Sequence, residues 1–469
     1  MPRSPNRSLA AVVTASGASH KAIAHRVNQL AAAAGRSTSY THTSVMNWLD
    51  GMRPRQPVPA LLAQVLGERL GRAVDVAEIG MATTSPGDAG GLEFPRDPAD
   101  AARRAADFWS TMHRRSFVRR AFAVSAYSLP VTRWLIQPAA AAPAESNDSN
   151  DSNNAGGNNS NGGSGQRVGQ RELTELWEHA EQARQWDARY GGGNWRTSQV
   201  VDCLNTRAAP LLAGRATQQI SDGLYSASAE LSRLAGWAAF DAGDHAIAQR
   251  HFIQALSLAR AGGNAELGAY VTATMALQTM RRGYPSEAID MAQGAYERAG
   301  RDATPKVRAF ARLIEARAHA RTGDERAAAR ALSGCERLLD AAREQDSPTY
   351  IAYFGPARMA SDAVEIYRDL GKPHVAAGWD AQCAMPVGHT RAVGLRLSVT
   401  ATAHLQDRDL DQGLAVGRRA VDILAGVASA RAREYVEDIH TALAPWAREP
   451  RVRSWQHHAR RQLGGAPTG

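Results

Sequence analysis

Three glycines spaced 40 residues apart constrain the fold of this chain more than any other feature. Gly243 stands in FDAGDHAIAQRHFIQAL, Gly283 in MRRGYPSEAIDMAQGAY and Gly323 in ARTGDERAAARALSGCE. A fourth copy follows 48 residues later at Gly371, in RDLGKPHVAAGWDAQCA, and a looser fifth begins near Asp409, in DRDLDQGLAVGRRAV. Small residues recur at fixed offsets. Ala248, Ala288, Ala328 and Ala376 stand five positions after the glycines, and Ala255, Ala295, Cys335 and Cys383 twelve positions after. Positions seven apart share one face of a helix, so each copy predicts a helix lying tightly on a neighbour. The glycine before it marks the turn from an antiparallel partner, where a left-handed backbone costs glycine little. The pattern predicts stacked helical hairpins, a solenoid.

The remainder of the chain agrees with an all-α class. Alternating β-branched runs are scarce. Hydrophobic residues make up 44% of the chain and aromatics only 6%, as closely packed small-residue helices require. The hairpin pattern resembles the tetratricopeptide repeat, with a period longer than that family's about 34 residues and without most of its signature Trp and Pro. That resemblance implies a TPR-like surface for a protein, peptide or small-molecule effector. Asp and Glu are spread along the helices and read as solvated faces.

Five regions follow from composition. Residues 1–81 form one block, expected to be a helix-turn-helix DNA-binding domain. After the Pro/Gly-rich joint at 82–98 comes a connecting helical segment, 99–138. Residues 139–170, rich in Asn, Gly, Ser and Ala, are too small and polar to bury a core and predict a disordered linker. Helical repeats occupy 171–450, and 451–469 read as a basic tail. The net charge is +9 and the pI about 9.8, which suits a polyanionic partner. Cys203, Cys335 and Cys383 are far apart with no CxxC pair, so neither a disulfide framework nor a zinc site is expected, and a reducing cytoplasm fits. The N-terminus lacks the apolar core of a signal peptide, and no run of about 18 apolar residues exists to cross a membrane.

The N-terminal block is the basic part. Residues 1–55 carry seven Arg or Lys against one acid, Asp50. HKAIAHRVNQLAAAAG, 20–35, predicts a helix with Ile23, Val27, Leu30 and Ala34 on one face, Ser19 as N-cap and Gly35 as stop. The loop RSTSYTH leads to a second helix, 43–50, backed by Val45, Trp48 and Leu49 and ended by Gly51. A third, 58–70, buries Leu61, Leu62, Val65, Leu66 and Leu70. Two short helices across a turn, backed by a third, are the parts of a helix-turn-helix, although the loop of about seven residues exceeds the usual three or four. A helix entering the major groove keeps carboxylates off its front and offers short polar groups to base edges. Thr43, Ser44 and Asn47 are therefore the candidate base readers, Asn47 toward adenine. Lys21, Arg26, Arg53 and Arg55 are the candidate phosphate holders.

At RVNQL, then SVMNWLDGMRPRQPVPALLAQVLGERLGR and VAEIGM, the chain resembles an actinomycete regulator family that joins a Cro/repressor-like helix-turn-helix to a TPR-like region. The resemblance extends in outline to NWRTSQVVDCLNTRAAPLL at 194–212. It is nearest to negative regulators of sporulation and antibiotic production. It implies a cytoplasmic transcriptional regulator that binds double-stranded DNA. One small module makes few contacts, so a homodimer is expected. The rival reading is a scaffold acting through protein contacts without DNA.

Other motifs point away from catalysis. HRRSFVRRAFAVSAYSLPVTRWL, 113–135, resembles a twin-arginine export signal but stands far from the N-terminus. It reads better as a helix packing through Phe117, Ala121, Val124 and Leu129. RYGGGNWRTS, 189–198, lacks the ending of a phosphate-binding loop. His457 and His458 are adjacent and point apart on a helix. No catalytic constellation is found, and no enzyme activity, cofactor or metal is expected.

Overall fold

The computed structural model describes all residues except 1–4, 34–37, 56, 71–73, 75, 77, 82–89, 113–121, 137–166, 191–198, 301–302, 384–389 and 465–469. Among the described residues the chain is all-α, and its β structure is limited to an isolated bridge between Arg167 and Arg215. Most of the expected linker, 139–166, lies outside the described residues.

The N-terminal unit holds four helices: α1 (Arg7–Ser16), α2 (His20–Ala33), α3 (His42–Leu49) and α4 (Val58–Leu70). Leu9, Ile23, Val27, Val45, Trp48, Leu62, Leu66 and Ile79 form its core, and no described residue beyond Met81 joins that cluster. α1 lies outside the helices expected from apolar spacing. Asn6 explains its stability: its Oδ1 accepts from the Leu9 N–H at 3.0 Å and caps the helix. Asn6 Nδ2 donates to the Ile79 carbonyl at 2.9 Å, and its backbone N–H donates to the Leu49 carbonyl at 2.7 Å. One side chain thus ties the start of α1 to the segment after α4, and its own main chain meets the end of α3.

A strap follows: α5 (Pro98–Thr111), a 3-10 turn at Val124–Tyr127 and α6 (Ser128–Ile136). Then come α7 (Gln170–Tyr190), α8 (Gln199–Cys203), a π-helical turn at Leu204–Ala208 and α9 (Ala209–Leu212). Five hairpins follow among the described residues: α10 (Gln218–Asp241) with α11 (His245–Ala261), α12 (Ala265–Arg281) with α13 (Pro285–Ala299), and α14 (Pro305–Thr322) with α15 (Glu325–Asp340). The others are α16 (Pro356–Asp369) with α17 (Pro373–Asp380) and α18 (Thr390–Gln406) with α19 (Leu410–Leu424); α20 (Ala430–Ala442) then packs on α18 and α21 (Pro450–Gly464) on α19.

The glycine register holds. Gly243, Gly283, Gly323 and Gly371 turn their hairpins at φ of 84°, 87°, 78° and 68°. Ala248, Ala288, Ala328 and Ala376 are fully buried, as are Ala255, Ala295 and Cys335. Cys383 differs: α17 stops at Asp380, so the cysteine lies beyond the helix and is half-buried. In the fifth hairpin Arg408 occupies the glycine position at φ 65°, and the small residues become Gly413 and Ala420. Around Gly323 an added Cβ would meet nothing within 4 Å, so Gly323→Ala tests backbone conformation alone. It is expected to cost about 1–2 kcal/mol, read as a lower urea midpoint, with Gly355→Ala, also in open space but without positive φ, close to neutral.

The array closes on itself. Consecutive first helices, α10, α12, α14, α16, α18 and α20, pack in turn, and α20 packs back on α10. The joint is ionic. Asp241 at the end of α10 is fully buried, and it accepts from Arg391 of α18 at 3.1 Å and Arg431 of α20 at 3.1 Å. Arg391 also pairs with Asp187 of α7 at 2.6 Å. The inner face is therefore not an open groove, and several carboxylates read as solvated, Glu230, Asp241, Asp362 and Glu365 among them, are buried against arginines.

The strap lies along the second helices α11 and α13. Gln249 Nε2 donates to the Ala123 carbonyl at 2.7 Å while its Oε1 accepts from the Ala123 N–H at 3.2 Å. Gln254 donates to the Gly91 carbonyl at 2.9 Å, and Tyr127 donates its hydroxyl to Gln278. Phe122, Tyr127, Val131 and Trp134 pack inward, whereas Leu129, expected to pack, is 54% exposed. Val124 is half-buried, and Phe117 and Ala121 lie outside the described residues. Residues 451–464 of the expected tail continue α21, which seats Val452, Trp455 and Ala459 against the last hairpins. Its arginines occupy the outer side of a packed helix.

Candidate nucleic-acid interface

α3 is short, and its packing decides which side faces out. Val45 and Trp48 are buried, and the Trp48 ring meets Tyr40 edge-on at 5.3 Å. Gly51, at φ 93°, ends the helix, and the Met52 N–H returns to the Asn47 carbonyl at 2.8 Å. The face opposite the core then consists of His42, Thr43, Met46 and the edge of Asn47. Met46 is 48% exposed, so its thioether side chain belongs to the outer face together with the polar groups.

The three candidate base readers are placed differently. Thr43 is exposed, its hydroxyl 3.4 Å from the His42 ring. Ser44 is half-buried, and its Oγ accepts from the Thr41 N–H at 3.2 Å, satisfying a donor at the helix start. That leaves Ser44 a structural task before any recognition. Asn47 is half-buried at the helix edge, and its side-chain amide has no partner among the described residues.

The basic residues also divide. Lys21, Arg53 and Arg55 are exposed, the last two on the connection between α3 and α4. Arg26 instead makes a two-pronged ion pair with Glu68 of α4, at 2.9 and 3.2 Å. Hydrogen bonding from Arg26 holds the Glu68 carboxyl below its usual range. This guanidinium would have to leave Glu68 to meet a phosphate. Asp50 is exposed at the end of α3.

A residue absent from the sequence reading positions α3. Asn28 of α2 accepts through Oδ1 from the Thr38 hydroxyl and the Tyr40 N–H, both at 2.9 Å, and donates through Nδ2 to the Tyr40 carbonyl at 2.8 Å. These three bonds pin the end of the long loop to α2, directly before α3. They replace the geometric restraint that a short turn would supply. The signal was an asparagine inside an apolar helical pattern, a residue type that prefers to bond nearby backbone. Asn28→Ala should destabilise the N-terminal unit by about 2–3 kcal/mol, and amide exchange at Tyr40 should accelerate. Unchanged protection at Tyr40 would remove Asn28 from this role.

Among the described residues no group of three or more His, Cys, Asp or Glu is placed to hold a metal, and no helix is long and apolar enough to cross a membrane. The family model of the SP15 N-terminal domain matches residues 9–82, which span α1 to α4 and the segment behind them. No curated protein and no solved structure gives a match to the chain.

Proposed function

We propose that the chain is a DNA-binding transcriptional regulator whose N-terminal unit reads duplex DNA through the outer face of α3. The observation that carries the reading is that face itself. Asn47 offers an amide with no partner among the described residues, beside exposed Thr43 and Met46 and ahead of exposed Arg53 and Arg55. An amide suits an adenine edge, and a methionine side chain suits a thymine methyl group. Arg53, Arg55 and Lys21 supply phosphate contacts that set position without reading sequence. In this reading the protein acts in the cytoplasm as a homodimer, and the helical array receives the partner or signal. The resemblance described above supports a negative role in differentiation and antibiotic production, with repression by promoter occupancy.

Gel retardation with the full chain tests the reading. Retention on a specific site should fall steeply as salt rises, because bound counterions are released on association. Arg55→Ala should weaken all sequences alike and lower the salt slope by about 0.9. Asn47→Ala should cost about 1–3 kcal/mol of discrimination at one base pair. If the full chain retains no DNA at low salt, the reading fails. If DNA is retained but neither variant alters it, the assignment to α3 fails.

A further inference from the structure

The strap fills a groove that the hairpin repeat makes a second time. Phe122 meets the Tyr284 ring at 6.3 Å, and the Trp134 carbonyl accepts from Arg298 Nε at 3.4 Å. Between these points Leu135 stands on Gly294, so close that an added Cβ would lie 3.1 Å from it. Tyr284 caps α13, and Gly294 and Arg298 lie on that helix. Trp134 also rests directly on Gly268 of α12. The strap thus lies between α11 and α13, with α12 as the floor.

Forty residues on, Tyr284, Gly294 and Arg298 become Asp324, Gly334 and Leu338. All three line an open groove between α13 and α15, floored by α14, with a volume of about 870 Å³. A Cβ added to Gly334 would have Arg312 atoms as its nearest neighbours, at 3.8 to 3.9 Å, which is ordinary contact. The step that Leu135 covers in the first groove is open in the second.

The two grooves carry opposite charge. Asp290 and Glu297 flank Gly294, and the strap stretch 122–136 brings Arg133 and no carboxylate. At the same register Arg330 and Arg337 flank Gly334. Positions 330, 334 and 337 share one face of α15, with the two arginines about 10 Å apart along it. Both are exposed, and neither forms an ion pair among the described residues. The carboxylates of the groove are engaged already. Glu315 accepts from Arg312 at 2.6 Å on one oxygen and from Gln293 at 3.0 Å on the other. Asp324 caps α15 by accepting from the Ala327 N–H at 2.9 Å. A uniform polyanion laid along the groove would run against both acids. A helix sets its carboxylates only where the guanidinium groups stand, through anchors spaced as those of α15 are.

We propose that the groove between α13 and α15 docks one acidic helix of a partner protein, with carboxylates on Arg330 and Arg337 and a compact apolar side chain on Gly334. Such docking is the means by which the array receives its partner. It rests on that part of the proposed function and stands apart from DNA binding by the N-terminal unit.

A displayed library of amphipathic helices of about four turns, randomised at the polar positions, is panned against the full-length protein. Enriched peptides are then titrated by fluorescence anisotropy. They should carry Asp or Glu seven positions apart and bind one per chain. Arg330→Glu and Arg337→Glu, both at exposed positions, should each weaken binding at least tenfold. Gly334→Leu should block the groove without lowering the unfolding temperature, because leucine favours a helix over glycine. Arg103→Gln, exposed on α5, should change nothing. The proposal is overturned if no acidic helix is enriched, or if the enriched peptides bind all three α15 variants as tightly as wild type. It is overturned equally if Arg330→Glu abolishes DNA retention, since the groove then takes a phosphate backbone. Wild-type protein that retains DNA and docks no helix removes this site alone, whereas docking without DNA retention supports it and removes the role of α3.

Discussion

Asp241→Ala is expected to destabilise the helical array by about 3–5 kcal/mol, the cost typical of breaking a buried ion pair from one side. The carboxylate is fully buried and serves Arg391 and Arg431 from two helices that arrive late in the chain. Without it, two guanidinium groups lose a shared counter-ion. Arg391 keeps Asp187, and Arg431 keeps the rings of Trp237 and Phe240. The variant should therefore open first at the junction of α20 with α10. Urea unfolding gives the size of the loss, and hydrogen exchange should show early opening of residues 430–442. A change under about 1 kcal/mol would mean that apolar packing such as Ala430 against Gly243, rather than Asp241, holds the joint.

Trp48→Ala carries the second large effect, about 3–5 kcal/mol for a buried aromatic. The N-terminal unit is small, and a domain of its size has only about 5–15 kcal/mol of stability in total. Trp48 is 2% exposed and touches the loop through Tyr40. Its loss should leave residues 5–81 open to protease while the array remains resistant, because the two hydrophobic clusters share no residue. DNA retention should disappear with it. Retention at wild-type strength by the variant would place DNA contact outside α3.

The hairpins were readable because a left-handed turn demands a residue type. Glycine at 243, 283, 323 and 371 announces the backbone directly. The fifth turn was blurred because Arg408 adopts the same conformation without the marker. Helices α2, α3 and α4 followed from apolar spacing, and the sides of Val45 and Trp48 came with them. α1 was missed since only Leu9, Val12 and Val13 among small residues mark its buried face. Closure of the array was illegible for a deeper reason. Glu230, Asp241, Arg317 and Glu365 look like solvent-facing charges, and only their partners many residues away make burial tolerable. Gln249 is buried on the same terms, since its amide bonds backbone more than 100 residues earlier in the chain. In the candidate interface, residue types pointed to Asn47 and Arg55, but the ion pair of Arg26 with Glu68 required the distance between α2 and α4.

Return of α20 onto α10 has one more consequence. Open solenoids lose stability gradually from their ends and tolerate gain or loss of a unit, because each unit answers only to its neighbours. Here, among the described residues, the first and last of the inner helices meet, so neither is left as an open end to fray. The number of hairpins is locked by geometry, so deleting one pair should abolish the whole rather than shorten it, and melting should proceed as a single concerted event.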